Sequence, residues 1–472
     1  METNQNRFVY LDNIRNILVY NVVLLHVIPM FAYPLFFWWP VIDKEGSSRF
    51  YEIGMMSMNI YLMPCLLFIA ALFIYPSLKK GTALEYIKNR FLRLYVPVIV
   101  FLFCAGDIYY QLLLKRLNSV SPTYLETFLN FWRAFVNIPG IYLSGSEKTL
   151  NAVMFNFQHT WFLTLLFFMT LIIVLLSLLF KRKNSEQKKM DSRKKTILQT
   201  IIFAVVLGIV YAAAKLYYVT HGINLGSWLI VGKAVQFQIE QIWMLLPIFL
   251  FGLYVYKKEW LTRGDIGSWK MWGVMSFIFL AAYVLLSHIG FLPVVEEIIK
   301  AIEHNLQFDN KMAVPVGDRS FQLTALCTWL LLPLVCVFLL MFFLSFAKRF
   351  FNKPNAITTF CSKHSINVYI LHYIPVLILQ YTFLNVPITP IIKILLMTII
   401  VIPACLWLSY RLVYPYPKIA IAFFVALKLV ALAAGFTFYY WALLTLIFIS
   451  FAGAVYESAR YMVAQKAGID TA

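Results

Sequence analysis

Long apolar runs separated by short polar stretches set the character of this chain. About twelve candidate spans can be read off it, at 14–37, 54–77, 92–114, 160–181, 197–219, 243–256, 270–290, 322–347, 365–385, 388–410, 417–434 and 437–456. A helix needs about 20 residues to cross hydrocarbon about 30 Å thick, and nearly all of these runs meet that length. The run at 243–256 is short; it either extends back through QFQIEQ or sits beside a protein-lined cavity. The pattern predicts an all-α fold, a polytopic integral membrane helical bundle of about 10–12 transmembrane helices.

The segments between the runs alternate in charge. KKGTALEYIKNRFLR, KRKNSEQKKMDSRKK, YKKEWLTRGD, AKRFFNKP and YRLVYPYPK are basic, and the intervening loops are much less so. Lys and Arg concentrate on the cytoplasmic side of a membrane protein, which places both termini in the cytoplasm of a multi-pass cell-membrane protein. The loops at 118–158 and 291–320 are long, and each is expected to hold an interfacial amphipathic helix. The first span has no small-residue cleavage site after it, so it reads as a retained helix.

Composition agrees with the pattern. Of 472 residues, 61% are hydrophobic and 13% charged, and the mean hydropathy is +0.76; too little polar surface exists to wrap a soluble core. The formal net charge of +19 falls in short clusters between apolar runs, so no nucleic acid is implied and the lipid bilayer is the expected partner. The six cysteines lack the close pairing of a zinc site or disulfide framework, and no metal is expected.

Ionisable side chains within the apolar runs are the candidates for chemistry, because each is costly in lipid without a partner or a role. His26 lies eleven residues beyond Arg15, about 16 Å along a helix. That depth suits either a general base or a neutral imidazole bridging helices. His372, nine residues beyond Lys363, reaches a similar level, with Tyr369 on the same helical face. Asp107, in FCAGDIYYQ, is expected either to pair with a histidine or to border water. Arg90 and Arg93 share one face of KNRFLRLYVP and, with Arg15, can gather guanidinium groups for a phosphate; positive-inside bias alone also explains them. His159 and Trp161, in FQHTWFL, stand at the outer entry of the fourth span, where an interfacial aromatic is ordinary.

Taken in order, these segments resemble a family. Asp12, Arg15 and His26 are similar to the Arg-to-His signature of membrane acyltransferase family 3, in particular its YLDNLR-type branch, which includes proteins similar to glucans biosynthesis protein C. LMPCLLFIAALFIYPSLKKG, YIKNRFLRLYVP, HTWFLTLLFF and INVYILHY resemble the segments that follow in that branch. The resemblance covers roughly residues 8 to 410, so 1–410 reads as an acyltransferase-like helical domain and 411–472 as two additional helices and a cytoplasmic tail. It implies transfer of an acyl group, acetyl or succinyl, from cytoplasmic acyl-CoA to a hydroxyl of a cell-envelope or secreted glycan. Acyl-CoA is then the donor substrate, and no cofactor is implied.

In that reading His26 is the general base, His372 and Asp107 are candidate partners in proton transfer, and Arg15, Arg90, Arg93, Trp161, His159 and Tyr369 are substrate-binding candidates. The chain departs from the family at Ala70 and Ala71, where many relatives carry a small residue followed by glycine, so the resemblance does not carry over a very close backbone approach there. No SGNH-type esterase sequence follows the spans, so a fused two-step relay is not expected. The residues also admit a proton-coupled secondary transporter of a lipid-linked or anionic sugar, using His26, His372 and Asp107. A non-catalytic partner of other polysaccharide-assembly proteins is a third reading.

Overall fold

A computed structural model describes residues 8–36, 38–117, 123–143, 155–179, 192–223, 225–261, 265–291, 293 and 319–466. Helices α1 (Val9–Val27), α2 (Arg49–Leu72) and α3 (Ile74–Leu78) open the chain. A long interrupted segment follows, made of α4 (Ala83–Arg90), a π turn (Phe91–Tyr95), α5 (Val96–Ala105) and α6 (Ile108–Arg116). Next come α7 (Tyr124–Asn137), α8 (Trp161–Leu179), α9 (Arg193–Thr220), α10 (Ile242–Lys257), α11 (Trp269–Leu286) and α12 (Arg319–Phe350). Helices α13 (Ala356–Leu371) and α14 (Tyr373–Phe383) meet at a 60° bend, and α15 (Pro390–Leu408), α16 (Pro417–Ala434) and α17 (Phe436–Lys466) close the chain.

Among the described residues ten helices are long and apolar enough to cross a membrane, and the bent pair makes eleven. The chain is an all-α polytopic bundle with α1 at its centre, packed by α2, α12, α13, α14 and α15. The first span begins earlier than its hydropathy suggests and also ends earlier. Asp12 and Arg15 pair at 3.1 Å within the first turns of α1, so the polar opening residues are compatible with helix. At the other end Pro29 sits in the 3₁₀ turn Ile28–Phe31 that terminates α1.

The 118–158 loop contains the expected amphipathic helix. In α7 a capping box of Thr123 and Glu126 fixes the start, and Tyr124 and Phe131 turn into the core. The other expected loop helix, within 291–320, lies outside the described residues. The hydropathy pattern gives no sign of strands, yet β1 (Ile141–Leu143), β2 (Trp228–Val231) and β3 (Val235–Gln238) form an antiparallel sheet in that order. Of QFQIEQ, the first three residues belong to β3, and α10 starts only at Ile242. The short span therefore does not extend backwards. Its close approach to α2 is real, however, because α10 supplies the glycine: a Cβ on Gly252 would lie 2.7 Å from the Phe68 carbonyl oxygen and 2.9 Å from the Ala71 Cβ.

The last two helices are joined to the bundle by buried polar contacts. Lys428 of α16 places Nζ 2.7 and 2.6 Å from the two carboxylate oxygens of Asp107 and 2.7 Å from the Tyr124 hydroxyl. Lys428 and Asp107 are both fully buried. Tyr439 of α17 donates its hydroxyl to the Cys104 carbonyl at 2.7 Å. Removing one partner of a buried ion pair leaves the other charge uncompensated, which typically costs about 3–5 kcal/mol, whereas removing both can be nearly neutral. Lys428→Met is therefore expected to lower the unfolding temperature in detergent strongly, and the double variant Asp107→Asn/Lys428→Met to recover most of that loss. Thermal unfolding of the three proteins checks this; equal stability of the single and double variants would contradict it.

Candidate active site

Three helix ends bring three imidazoles together. His26 stands in the last turn of α1. His372 is the residue at the α13–α14 bend, and His159 lies in the 3₁₀ turn Gln158–Thr160 that leads into α8. Ring centroids are 5.0 Å apart for His26 and His372, 5.2 Å for His159 and His372, and 6.2 Å for His26 and His159. His372 and His159 are buried, while His26 is only half-buried.

The backbone around these rings fixes their protons. His372 Nδ1 lies 2.8 Å from the Tyr369 carbonyl oxygen and 3.2 Å from that of Val368. A carbonyl only accepts, so Nδ1 carries the hydrogen and Nε2 is left as an acceptor. That Nε2 faces His26 Nδ1 at 3.1 Å, and His26 Nδ1 also lies 2.8 Å from the Val22 carbonyl oxygen. With the ring neutral, the one hydrogen on His26 Nδ1 is shared between these two acceptors, and the lone pair of His26 Nε2 remains available. His159 has the opposite arrangement: Nε2 donates to the Ile370 carbonyl at 3.2 Å.

Neighbouring groups hold the rings in place. Gln380, fully buried on α14, donates to the carbonyls of His26 and Val27, both at 3.0 Å, and accepts from the Trp39 indole at 2.9 Å. These bonds satisfy carbonyls left open at the end of α1. Tyr369 donates its hydroxyl to the His159 carbonyl at 2.6 Å, and Tyr373 stacks on the His159 ring at 4.6 Å. Gln158 adopts φ +50°, a left-handed conformation uncommon outside glycine. Its side chain donates to the Gly106 carbonyl at 2.5 Å.

A cavity of about 1280 Å³ approaches this cluster from the end of the bundle that bears the basic residues. Arg15, Lys80, Arg90, Arg93 and Lys363 line its mouth. Arg15 donates to the Ser362 carbonyl at 3.1 Å as well as pairing with Asp12, and Arg90 Nε donates to the Tyr86 hydroxyl at 3.1 Å. The deep end reaches Phe101, Tyr369 and Ile370. Phe101 and Tyr369 pack directly on the His159 ring, at centroid distances of 4.6 and 5.7 Å. His159 thus stands one side-chain layer beyond the cavity lining, and His26 lies a further ring away, behind His159 and His372.

The sequence candidates fall into three groups. His26, His372, His159 and Tyr369 are brought together, and Arg15, Arg90 and Arg93 share the cavity mouth. Trp161 packs against Trp228 of β2 at 5.4 Å and does not line the cavity. Asp107 is not joined to the histidines; Lys428, an ammonium in the eleventh apolar run, neutralises it instead. Sequence reasoning misses Lys428, Gln380 and Trp39. A lysine within 417–434 and a glutamine in the apolar run ILQY are the available signals, since polar groups at such depth require partners.

A basic-mouthed cavity that ends near a histidine cluster inside a polytopic helical bundle defines the class: a multi-pass membrane protein with a candidate internal site. Residues 8–410 match the family described as Acyltransferase domain, and the chain belongs to that family as a membrane acyltransferase. It has no match among curated proteins or among solved structures.

The tautomers can be observed directly. Solid-state NMR of protein labelled with ¹⁵N-histidine is expected to show Nδ1–H rings at His26 and His372 and an Nε2–H ring at His159, assigned by single histidine deletions. An Nε2–H ring at His372 would break the donor chain described above.

Proposed function

We propose that this chain is a cell-membrane O-acyltransferase that moves an acyl group from cytoplasmic acyl-CoA to a hydroxyl of a cell-envelope or secreted glycan. The basic ends of the helices, and with them both termini, face the cytoplasm in this reading. Its opening YLDNIR supports the YLDNLR-type branch within the family, for which acetyl and succinyl are the implied groups. The observation that carries the mechanism is the free lone pair on His26 Nε2, left by donation from Nδ1 to His372.

In the reaction, His26 Nε2 takes the proton of the acceptor hydroxyl as that oxygen attacks the thioester carbonyl. The new C–O bond forms, the C–S bond breaks, and the coenzyme A thiolate leaves and takes up the proton held on His26 Nε2, which restores the base. His372 acts as an acceptor that steadies the His26 ring and shares the proton donated from Nδ1. Arg15, Arg90 and Arg93 bind the donor's phosphates, where planar guanidinium groups suit bidentate contact. Tyr369, backed by His159, shapes the end of the donor channel, and Trp161 with Trp228 offers an aromatic surface to the acceptor sugar at the opposite end. Asp107 holds the bundle through Lys428 and takes no part in proton transfer. Other polysaccharide-assembly proteins are natural neighbours for such an enzyme.

Proteoliposomes supplied with labelled acyl-CoA test the reading by release of free coenzyme A in the presence of a glycan acceptor. General-base catalysis contributes about 10²–10⁴ in rate, so His26→Ala is expected to lose activity on that scale. Arg90→Lys and Arg93→Lys keep the charge but lose the fork, and are expected to weaken coenzyme A binding with little change in the chemical step. Wild-type rates in His26→Ala, or passage of an intact sugar without coenzyme A release, would overturn the proposal.

A further inference from the structure

The two sides of the cavity differ in chemistry. Every charged residue that lines it, Arg15, Lys80, Glu85, Arg90, Arg93 and Lys363, comes from α1, from the 80–93 stretch or from α13. The wall formed by α15, α16 and α17 carries no charge: Ala404, Leu408, Phe424, Leu443 and Ile447 are typical of it. Most of that wall lies beyond residue 410, where the family match ends. At about 1280 Å³ the cavity also exceeds the roughly 300–1,000 Å³ of ordinary ligand pockets.

Within this wall the Ser450 hydroxyl is buried and has no hydrogen-bond partner among the described residues. A ligand carboxylate placed against the wall would find that hydroxyl and, behind Tyr439, an ammonium of Lys428 that Asp107 already neutralises; a buried carboxylate without a free cation is strongly disfavoured. A hydrocarbon chain would meet methyl, methylene and ring surfaces throughout. A charged mouth joined to an apolar interior is complementary to an amphiphile, with phosphates at one end and a hydrocarbon at the other.

We infer that the uncharged wall contributed by α15, α16 and α17 binds the acyl chain of the donor, so that this protein selects an uncharged acyl group longer than acetyl and discriminates against succinyl. The inference rests on the acyl-CoA reading above and names the substrate class of the same cavity; it departs from the acetyl or succinyl group that the branch resemblance implies. It assigns to the helices outside the family match a role in donor choice.

Binding to the full-length protein in nanodiscs provides the test, with empty nanodiscs subtracting partition of the probe into lipid. Octanoyl-CoA is expected to bind at least tenfold more tightly than acetyl-CoA, and succinyl-CoA no more tightly than acetyl-CoA. Leu446→Trp, which fills the cavity from a half-buried position on α17, is expected to erase the octanoyl advantage and leave the affinity for coenzyme A itself within about twofold. Equal affinity for the three thioesters, or preference for succinyl-CoA, would overturn the inference and leave the acyltransferase reading intact. The donor series on unmodified protein decides between these outcomes even if the tryptophan variant misfolds. Failure of coenzyme A and all its thioesters to bind would remove both.

Discussion

Within hydrocarbon a polar atom is satisfied by the protein or left unsatisfied, at a cost of several kcal/mol, and that constraint organises this bundle. Its sharpest expression is at the α13–α14 bend. At His372, where the chain turns by 60°, the imidazole meets the carbonyl oxygens of Val368 and Tyr369. The ring is then committed to one tautomer, and its remaining nitrogen can only accept. His26, whose Nδ1 also faces the Val22 carbonyl, is the matching donor. The Val22 carbonyl within α1 and the His372 Nε2 across the interface thus point to the same tautomer of His26.

The same logic holds α1 along its length. At its basic end Asn13 donates to the Phe351 carbonyl, and Asn16 to the Thr358 carbonyl and the Ser362 hydroxyl. Arg15 adds the Ser362 carbonyl. At its other end Gln380 caps the carbonyls of His26 and Val27. These are contacts between α1 and the 350–383 stretch, so both ends of α1 are referenced to the elements that carry His372. Apolar packing alone gives little preference for one rotation of a helix in lipid, because lipid tails are as apolar as the neighbouring side chains. Hydrogen bonds at two heights fix both rotation and depth.

Much of this is legible in the sequence. Run lengths reproduce the spans except at 243–256, where α10 falls short of a spanning length, and the shared depth of His26 and His372 follows from counting residues after Arg15 and Lys363. The partner of Asp107 is not legible in the same way, because the pairing depends on which helices are neighbours. Lys428 lies 321 residues away, and hydropathy contains no information about lateral order. The sheet of β1, β2 and β3 escapes notice for a related reason: a strand of three or four residues in a loop is too short to show a period. Gly252 gives a third case. The resemblance draws attention to Ala70 and Ala71 on α2, whereas the glycine that permits close packing belongs to α10.

Spacing along α1 connects these local facts to the proposed chemistry. Arg15 and His26 belong to one continuous helix, so their axial separation of about 16 Å is rigid. If the phosphates of a donor are held at the first and the thioester meets the second, an extended arm must bridge that distance through the cavity. The Phe101 and Tyr369 side chains at its deep end then stand between the arm and the imidazoles. Phe101 belongs to α5, whose far end is tied through Cys104 and Asp107 to α17 and α16. The last two helices therefore bear on the site twice, once as the uncharged side of the cavity and once as the brace for the helix that closes its end. An extension beyond the family's matched stretch is in this way built into the part of the bundle where donor and base must meet.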